Sequence, residues 1–354
     1  MNNINHNIRE VQITGDFRNA LGFVEGEAFH AGKIPYSAGD VSCGIENEFQ
    51  TAVNGRSGDV DLAIYIKESR YLKNLIKRSE RGDLPGNRID EIREFIEDNR
   101  SGIWENSWVR FPRKTLSRYA DAVFRGDLKS DKRNPESGER IDAENFSVTH
   151  NGEECLRVPV SYLLKLALAD SVSGETYIHP VIRKSGESYL QCYLNDNTSP
   201  EIVSFFPVSE GDGKNVSENI MEQNLKSYLL TQMLVMYANK KFGLTANGQE
   251  VSLYFSPHPP VRQKKLNELV TDSFYRELFM SPCLSGWDRG EDKHAYMNLC
   301  HQVLSRSSLN SILKLKEAGI LPGNRVYLKG ISIISLANNG THISIGSKKL
   351  NALM

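Results

Sequence analysis

Apolar and polar positions alternate over Val41–Phe49: Val41, Cys43, Ile45 and Phe49 share one parity, Ser42, Gly44, Glu46 and Glu48 the other. Successive strand side chains point to opposite faces, so the pattern predicts a strand with Glu46 and Glu48 side by side on one face. Asn54–Asp59, NGRSGD, predicts a turn. The spacing then becomes helical. Leu62, Ile66, Leu72 and Ile76 predict a helix over Val60–Lys77, and Ile89, Ile92, Phe95 and Ile96 a short amphipathic one over Ile89–Asn99. Polar Ser79–Arg88 reads as the loop between them, and Thr115–Phe124 as a further helix. Arg157–Val172 predicts a buried helix entered after Pro159. Thr176–Arg183 and Ser188–Leu194 predict two strands around a turn at Lys184–Glu187. The widest apolar face lies on Asn219–Phe242, a helix stopped by Gly243. A strand at Glu250–Phe255 and helices at Leu266–Phe279, Lys293–Leu304 and Ser308–Ala318 follow. Arg325–Leu336 and Thr341–Ile345, around Asn338–Gly340, predict a closing hairpin.

Together these elements predict an α+β fold: a mixed, mostly antiparallel sheet, a helix-rich second half and a C-terminal β-hairpin. Gly126–Asn145 is the most polar stretch and too long for a tight connection. It suggests an N-terminal α+β region over 1–125, a linker or lid over 126–150, and a helix-rich region over 151–354.

Composition narrows the classes. At 39% hydrophobic and 25% charged residues the chain reads as a globular protein rather than a disordered one. Its 43 basic and 44 acidic residues give a net charge of -1, which removes any global pull toward nucleic acid or anionic membrane and leaves only local basic surfaces. The five cysteines are widely spaced with no CxxC pair, so neither a disulfide framework nor a structural zinc site is expected. The first residues form no signal peptide, and no run approaches the roughly 18–20 apolar residues of a membrane helix. The expectation is a cytoplasmic protein with reduced thiols.

Four groups carry candidate chemistry. Adjacent carboxylates at Glu46 and Glu48 persist either with a cation between them or facing solvent on an edge strand. Asp196, Asn197 and Glu201, in NDNTSPE after a predicted strand, suit Mg²⁺ or form an Asx-type turn that Pro200 rigidifies. Trp104–Arg113 offers Trp104, Trp108 and Phe111 as core anchors, or with Arg110 and Arg113 a clamp for phosphate or carboxylate. Arg262–Lys265, RQKK, is an electropositive patch or simply the solvated first turn of a helix. His294 and His301 lack the spacing of a chelating pair, and no nucleophile elbow, phosphate loop, HExxH or GxGxxG is present.

GIENEF at Gly44–Phe49 resembles the GxExEF-type first strand of the carboxylate–amine ligase superfamily, which includes glutamine synthetase, glutamate–cysteine ligase and the Pup ligase. DNTSPE resembles a later segment of the Pup-ligase branch, and no counterpart of that family's catalytic aspartate loop lies between the two. The resemblance covers barely a dozen residues. It implies a sheet whose glutamates hold Mg²⁺ and ATP while a carboxylate, on a small molecule or a protein, is phosphorylated and attacked by an amine. On that reading Glu46, Glu48 and Glu201 are candidate metal ligands, and Arg110, Arg113 and Asn197 candidate nucleotide contacts. Asp196, Arg157 and Arg183 are then candidate catalytic residues, the arginines neutralising phosphate charge. The alternative is a non-catalytic binding or assembly protein, associated with nucleic acid through residues 104–113 and 262–265.

Overall fold

A computed structural model describes residues 41–44, 47–82, 87–99, 102–105, 107–173, 180–191, 193–195, 203–205, 230–257, 261–279, 284, 288–321 and 344–347. Strands β1 (Val41–Gly44) and β2 (Asn47–Gly55) occupy the stretch that reads as one alternating strand, and they belong to different sheets. Strand β2 is central in its sheet, with β3 (Ile103–Glu105) on one side and β9 (Gln249–Pro257) on the other, both antiparallel. Thr51, Ala52 and Val53 are all buried, so β2 is covered on both faces and its inner half does not alternate. The Trp104 indole donates to the Gly55 carbonyl at 2.9 Å, which fixes the end of this sheet.

Helix α1 (Asp61–Glu68) and helix α2 (Arg70–Glu80) replace the single helix expected from Val60 on. Ser69 breaks it. Its backbone is extended, and its hydroxyl accepts from Leu72 N at 3.1 Å and donates to Ile66 O at 2.8 Å, capping α2 and closing α1 together. Helix α2 extends into residues read as loop. Helix α3 (Asn87–Glu97) buries Ile89, Ile92, Phe95 and Ile96, the face that its spacing predicts.

The second three-stranded sheet has β6 (Glu153–Pro159) at its centre, between β4 (Trp108–Pro112) and β5 (Ser147–His150). Helix α4 (Arg118–Asp127) packs on α5 (Val160–Ser171), which is buried from Val160 to Asp170. The described parts of the two expected strands, 180–183 and 188–191, are helical. Residues Pro180–Gln191 are helix α6, and β7 (Tyr193–Asn195), paired with β8 (Val203–Phe205), is extended. Gly186, which reads as a turn residue, is a packing point. A Cβ there would lie 2.2 Å from the Val172 side chain at the end of α5.

Helix α7 covers 230–241, and Val261–Leu269 (α8) and Asp272–Phe279 (α9) follow. Lys293–Leu304 and Ser308–Ala318, expected as two helices, are one continuous helix, α10 (Gly290–Glu317). Strand β10 (Ser344–Ser347) pairs with β1, and the rest of the expected hairpin lies outside the described residues. All described strand pairs are antiparallel and the fold is α+β. No described helix is long and apolar enough to cross a membrane.

The polar stretch 126–146 is folded. Lys129 and Glu139 form an isolated antiparallel backbone bridge, buried Arg140 makes a double ion pair with Asp142 at 2.7 and 3.0 Å, and Arg140 N donates to Leu128 O. Lys132 and Lys165 both reach the Asp127 carboxylate, at 2.9 and 2.5 Å, and the buried Tyr162 hydroxyl donates to it at 2.7 Å. Burial disfavours the Asp127 charge, but the two ammonium groups outweigh it and hold the carboxyl below its usual range.

Candidate functional site

Strands β4 and β6 place Arg110 directly opposite Arg157. Like charges in register across a sheet repel, so this pair requires a counter-charge. Asp61 supplies it from the first turn of α1, where the helix N-terminus also favours a carboxylate. Asp61 Oδ1 lies 2.5 Å from Arg110 Nε, and Oδ2 accepts from Arg157 Nε, with the Asp61 side chain only 6% exposed. Arg110 has two further side-chain contacts. Its Nη2 donates to the Asp59 carbonyl at 2.9 Å, and Nη1 lies 3.2 Å from His150 Nδ1, which must then be the unprotonated ring nitrogen. Gln249 completes the frame, accepting from Arg110 N at 3.1 Å and donating to Asp59 O at 3.0 Å. Gly248, at φ 71, admits Asp59 there, since a Cβ would stand 2.6 Å from the Asp59 carboxyl carbon.

The Arg157 guanidinium rests 4.5 Å from the centre of the Trp108 ring and 5.8 Å from that of Tyr65. Trp108 stacks in turn on Phe146. The Tyr65 hydroxyl donates to Glu277 at 2.6 Å, and burial, followed by that carboxylate, pushes it up to about 12. Arg110 and Arg157 thus meet as cations around one aspartate, and Arg113, the other arginine of the clamp weighed from the sequence, is not part of this group.

Arg113 stands apart. It donates to Asp121 at 2.9 Å and Glu154 at 2.8 Å; burial opposes its charge, but the two carboxylates raise its pKa. It borders an open cleft of about 390 Å³ that also holds Lys114, Arg118, Glu153 and Glu154. The cleft is lined by both signs of charge. Arg183 lies on α6, half-buried, and belongs to neither arrangement. Glu46, Asp196, Asn197 and Glu201 lie outside the described residues, as does the side chain of Glu48, which sits on β2 opposite Ser256. Among the described residues no three His, Cys, Asp or Glu side chains are grouped to hold a metal ion.

The aromatic stretch is core: Trp104 and Phe111 are buried, Phe95 packs edge-on against Trp104, and Phe111 stacks on Phe242. Nor is 262–265 a free basic patch. Buried Glu105 accepts from Gln263 N at 2.8 Å and so caps α8 from β3, and Arg262 lies 5.4 Å from the Phe95 ring, its pKa lowered by burial. Lys264 and Lys265 alone of this segment face solvent.

A different cationic surface is open. Helix α2 buries Leu72 and Leu75 and half-buries Tyr71 and Ile76. Its solvent side carries Arg70, Lys73, Asn74, Lys77 and Arg78, and the capping residue Arg81 continues it. Arg70, Asn74, Lys77 and Arg81 recur at helical spacing along one line, flanked by Lys73 and Arg78. All five cations are exposed, and none is in an ion pair among the described residues. Glu80 is the one acidic residue between Arg70 and Arg81, against five basic ones, in a chain whose overall charges balance. The signal was present in the sequence as a charge period on a helix whose other face is apolar.

No family model matches the chain, and no curated protein and no solved structure matches it.

Proposed function

We propose that this protein is a non-catalytic polyanion-binding protein whose contact face is the solvent side of α2. The observation that carries the reading is the contrast in pairing. Arg110 and Arg157 are paired with Asp61 and Arg113 with Asp121 and Glu154, while Arg70, Lys73, Lys77, Arg78 and Arg81 are exposed and in no ion pair among the described residues. Unpaired cations crowded on one face repel one another, and a bound polyanion relieves that repulsion while releasing its own counterions. A metal–nucleotide role draws no support from the three arginines, each of which is already engaged in an ion pair.

The test is retention of the full chain on immobilised heparin. Retention at about 50 mM salt, with elution well above it, is the expected result, since each phosphate- or sulfate-type contact adds to the salt dependence. R70Q/K77Q/R81Q should elute at markedly lower salt. Flow-through of the parent protein would overturn the proposal.

A further inference from the structure

We infer that the polyanion is nucleic acid, held by its phosphate backbone without reading of bases; this rests on the polyanion-binding role of α2. Three competing partners carry charge of the right sign, and the built features of α2 separate them.

An anionic membrane is disfavoured by where the apolar face goes. A helix that lies in a bilayer interface inserts its apolar side between the headgroups. Leu72 and Leu75 of α2 are committed to the core instead. Tyr71 is stacked on Phe274 with ring centres 4.2 Å apart, and its hydroxyl accepts from Thr271 N at 3.1 Å. Rolling α2 into a membrane would dismantle these contacts.

An acidic protein partner is disfavoured by what the outer face lacks. Protein interfaces draw most of their affinity from buried aromatic and aliphatic anchors. The solvent face of α2 offers none between Arg70 and Arg81, only charged side chains and Asn74. A phosphate backbone needs no such anchor. It needs positive charge at repeated intervals and donors of the right shape, and the guanidinium fork of Arg70, Arg78 and Arg81 matches a phosphate bidentately.

Dimensions agree. At about 1.5 Å per residue the row from Arg70 to Arg81 is roughly 16 Å long. That length covers about five phosphate steps of one strand at about 3.4 Å each along a duplex axis. Beside it, α3 exposes Asp90, Glu94 and Glu97, with Arg93 between them 3.9 Å from Asp90. No aromatic residue stands in the row to stack on a base, so recognition is expected to be indifferent to sequence.

Fluorescence anisotropy of the full chain tests this with two 25-base-pair duplexes of unrelated sequence, a single-stranded oligonucleotide, and vesicles of phosphatidylserine in phosphatidylcholine. The expected result is binding to both duplexes within about twofold of each other, with log K falling linearly in log salt. R70Q/K77Q/R81Q should weaken binding at least tenfold and reduce the magnitude of the salt slope by about 3, one per lost contact. Glutamine keeps helix propensity, and an unchanged Tm shows that the fold persists. As a second variant, E94Q/E97Q on α3 should bind DNA more tightly. Vesicle binding without DNA binding would overturn the inference and leave the polyanion role standing. Absence of binding to DNA and heparin alike would remove both. DNA binding untouched by the α2 substitutions would overturn the placement of the site.

Discussion

Two sets of arginines in this molecule carry the same charge and do opposite things. Arg110 and Arg157 face each other across β4 and β6, and Asp61 between them converts a repulsion into a buried bridge joining α1 to the sheet. Arg70 and Arg78 on α2 and Arg81 at its C-cap are exposed and in no ion pair among the described residues. An arginine therefore says little about function until its counter-charge is located. Desolvated and paired, it is architecture; exposed, unpaired and repeated, it is a surface that attracts anions.

The sharpest way to break that comparison is to remove the shared carboxylate. Asp61→Ala should leave two guanidinium groups in register with no counter-charge and cost about 3–5 kcal/mol of folding stability. Urea unfolding measures it, and a loss below about 1 kcal/mol would show that Asp59 and His150 already suffice for the pair.

The Asp127 cluster is the second paired region and makes a pH-dependent prediction. The Asp127 carboxyl is depressed in the folded protein, with burial opposing and Lys165 and Lys132 prevailing. Its contribution to stability is thus fully present above the unfolded-state value near 3.9 and is lost as pH falls through the lower folded value. Stability measured from pH 5 downward should fall in that window, and Asp127→Asn should flatten that part of the profile while lowering stability at pH 7 by about 2–4 kcal/mol. An unchanged acid limb in the variant would assign the acid sensitivity to other carboxylates.

How legible all this was from the sequence follows from distance along the chain. The buried face of α3 was readable because Ile89, Ile92, Phe95 and Ile96 are local neighbours on one helix. Asp61 was not readable as the partner of Arg157, since 96 residues separate them and the β4–β6 register decides which arginine it meets. Helix α6 was misread because its Val181, Ile182 and Tyr189 favour strands and its glycine favours a turn, whereas Gly186 is there for close approach to Val172. The paired aromatics Trp104 and Phe111 were foreseeable as anchors from size alone. Glu46, Asp196, Asn197 and Glu201 lie outside the described residues, and the Mg²⁺–ATP reading built on them stays a proposal from the sequence.

Ser69 links the two regions. It ends α1, which carries Asp61, and starts α2, which carries the open cations. Ser69→Ala removes the bond to Leu72 N and should cost about 1 kcal/mol, the usual loss for such a cap. Because the cap orients the first turn of α2, affinity for heparin should fall modestly as well. Ser69→Asp restores the acceptor for Leu72 N but not the donor to Ile66 O, so it should recover only part of the stability, and its added negative charge should keep heparin affinity low. A variant that lost stability but kept full affinity would show that Arg70 is not among the contacts.

The smallest expected effect on stability is the most informative. Replacing Arg70, Lys77 and Arg81 by glutamine touches no ion pair among the described residues and no buried side chain, so Tm-derived stability should change by less than about 0.5 kcal/mol. The change should lie on the stabilising side, because like charges at helical spacing on α2 repel. Set against the several kcal/mol expected at Asp61, a near-neutral result with lost polyanion affinity would separate the two kinds of arginine by measurement. A destabilisation of 2 kcal/mol or more, by the scale of a lost buried pair, would mean that these cations have partners in the folded chain. The open face of α2 would then be a second piece of architecture rather than a binding surface.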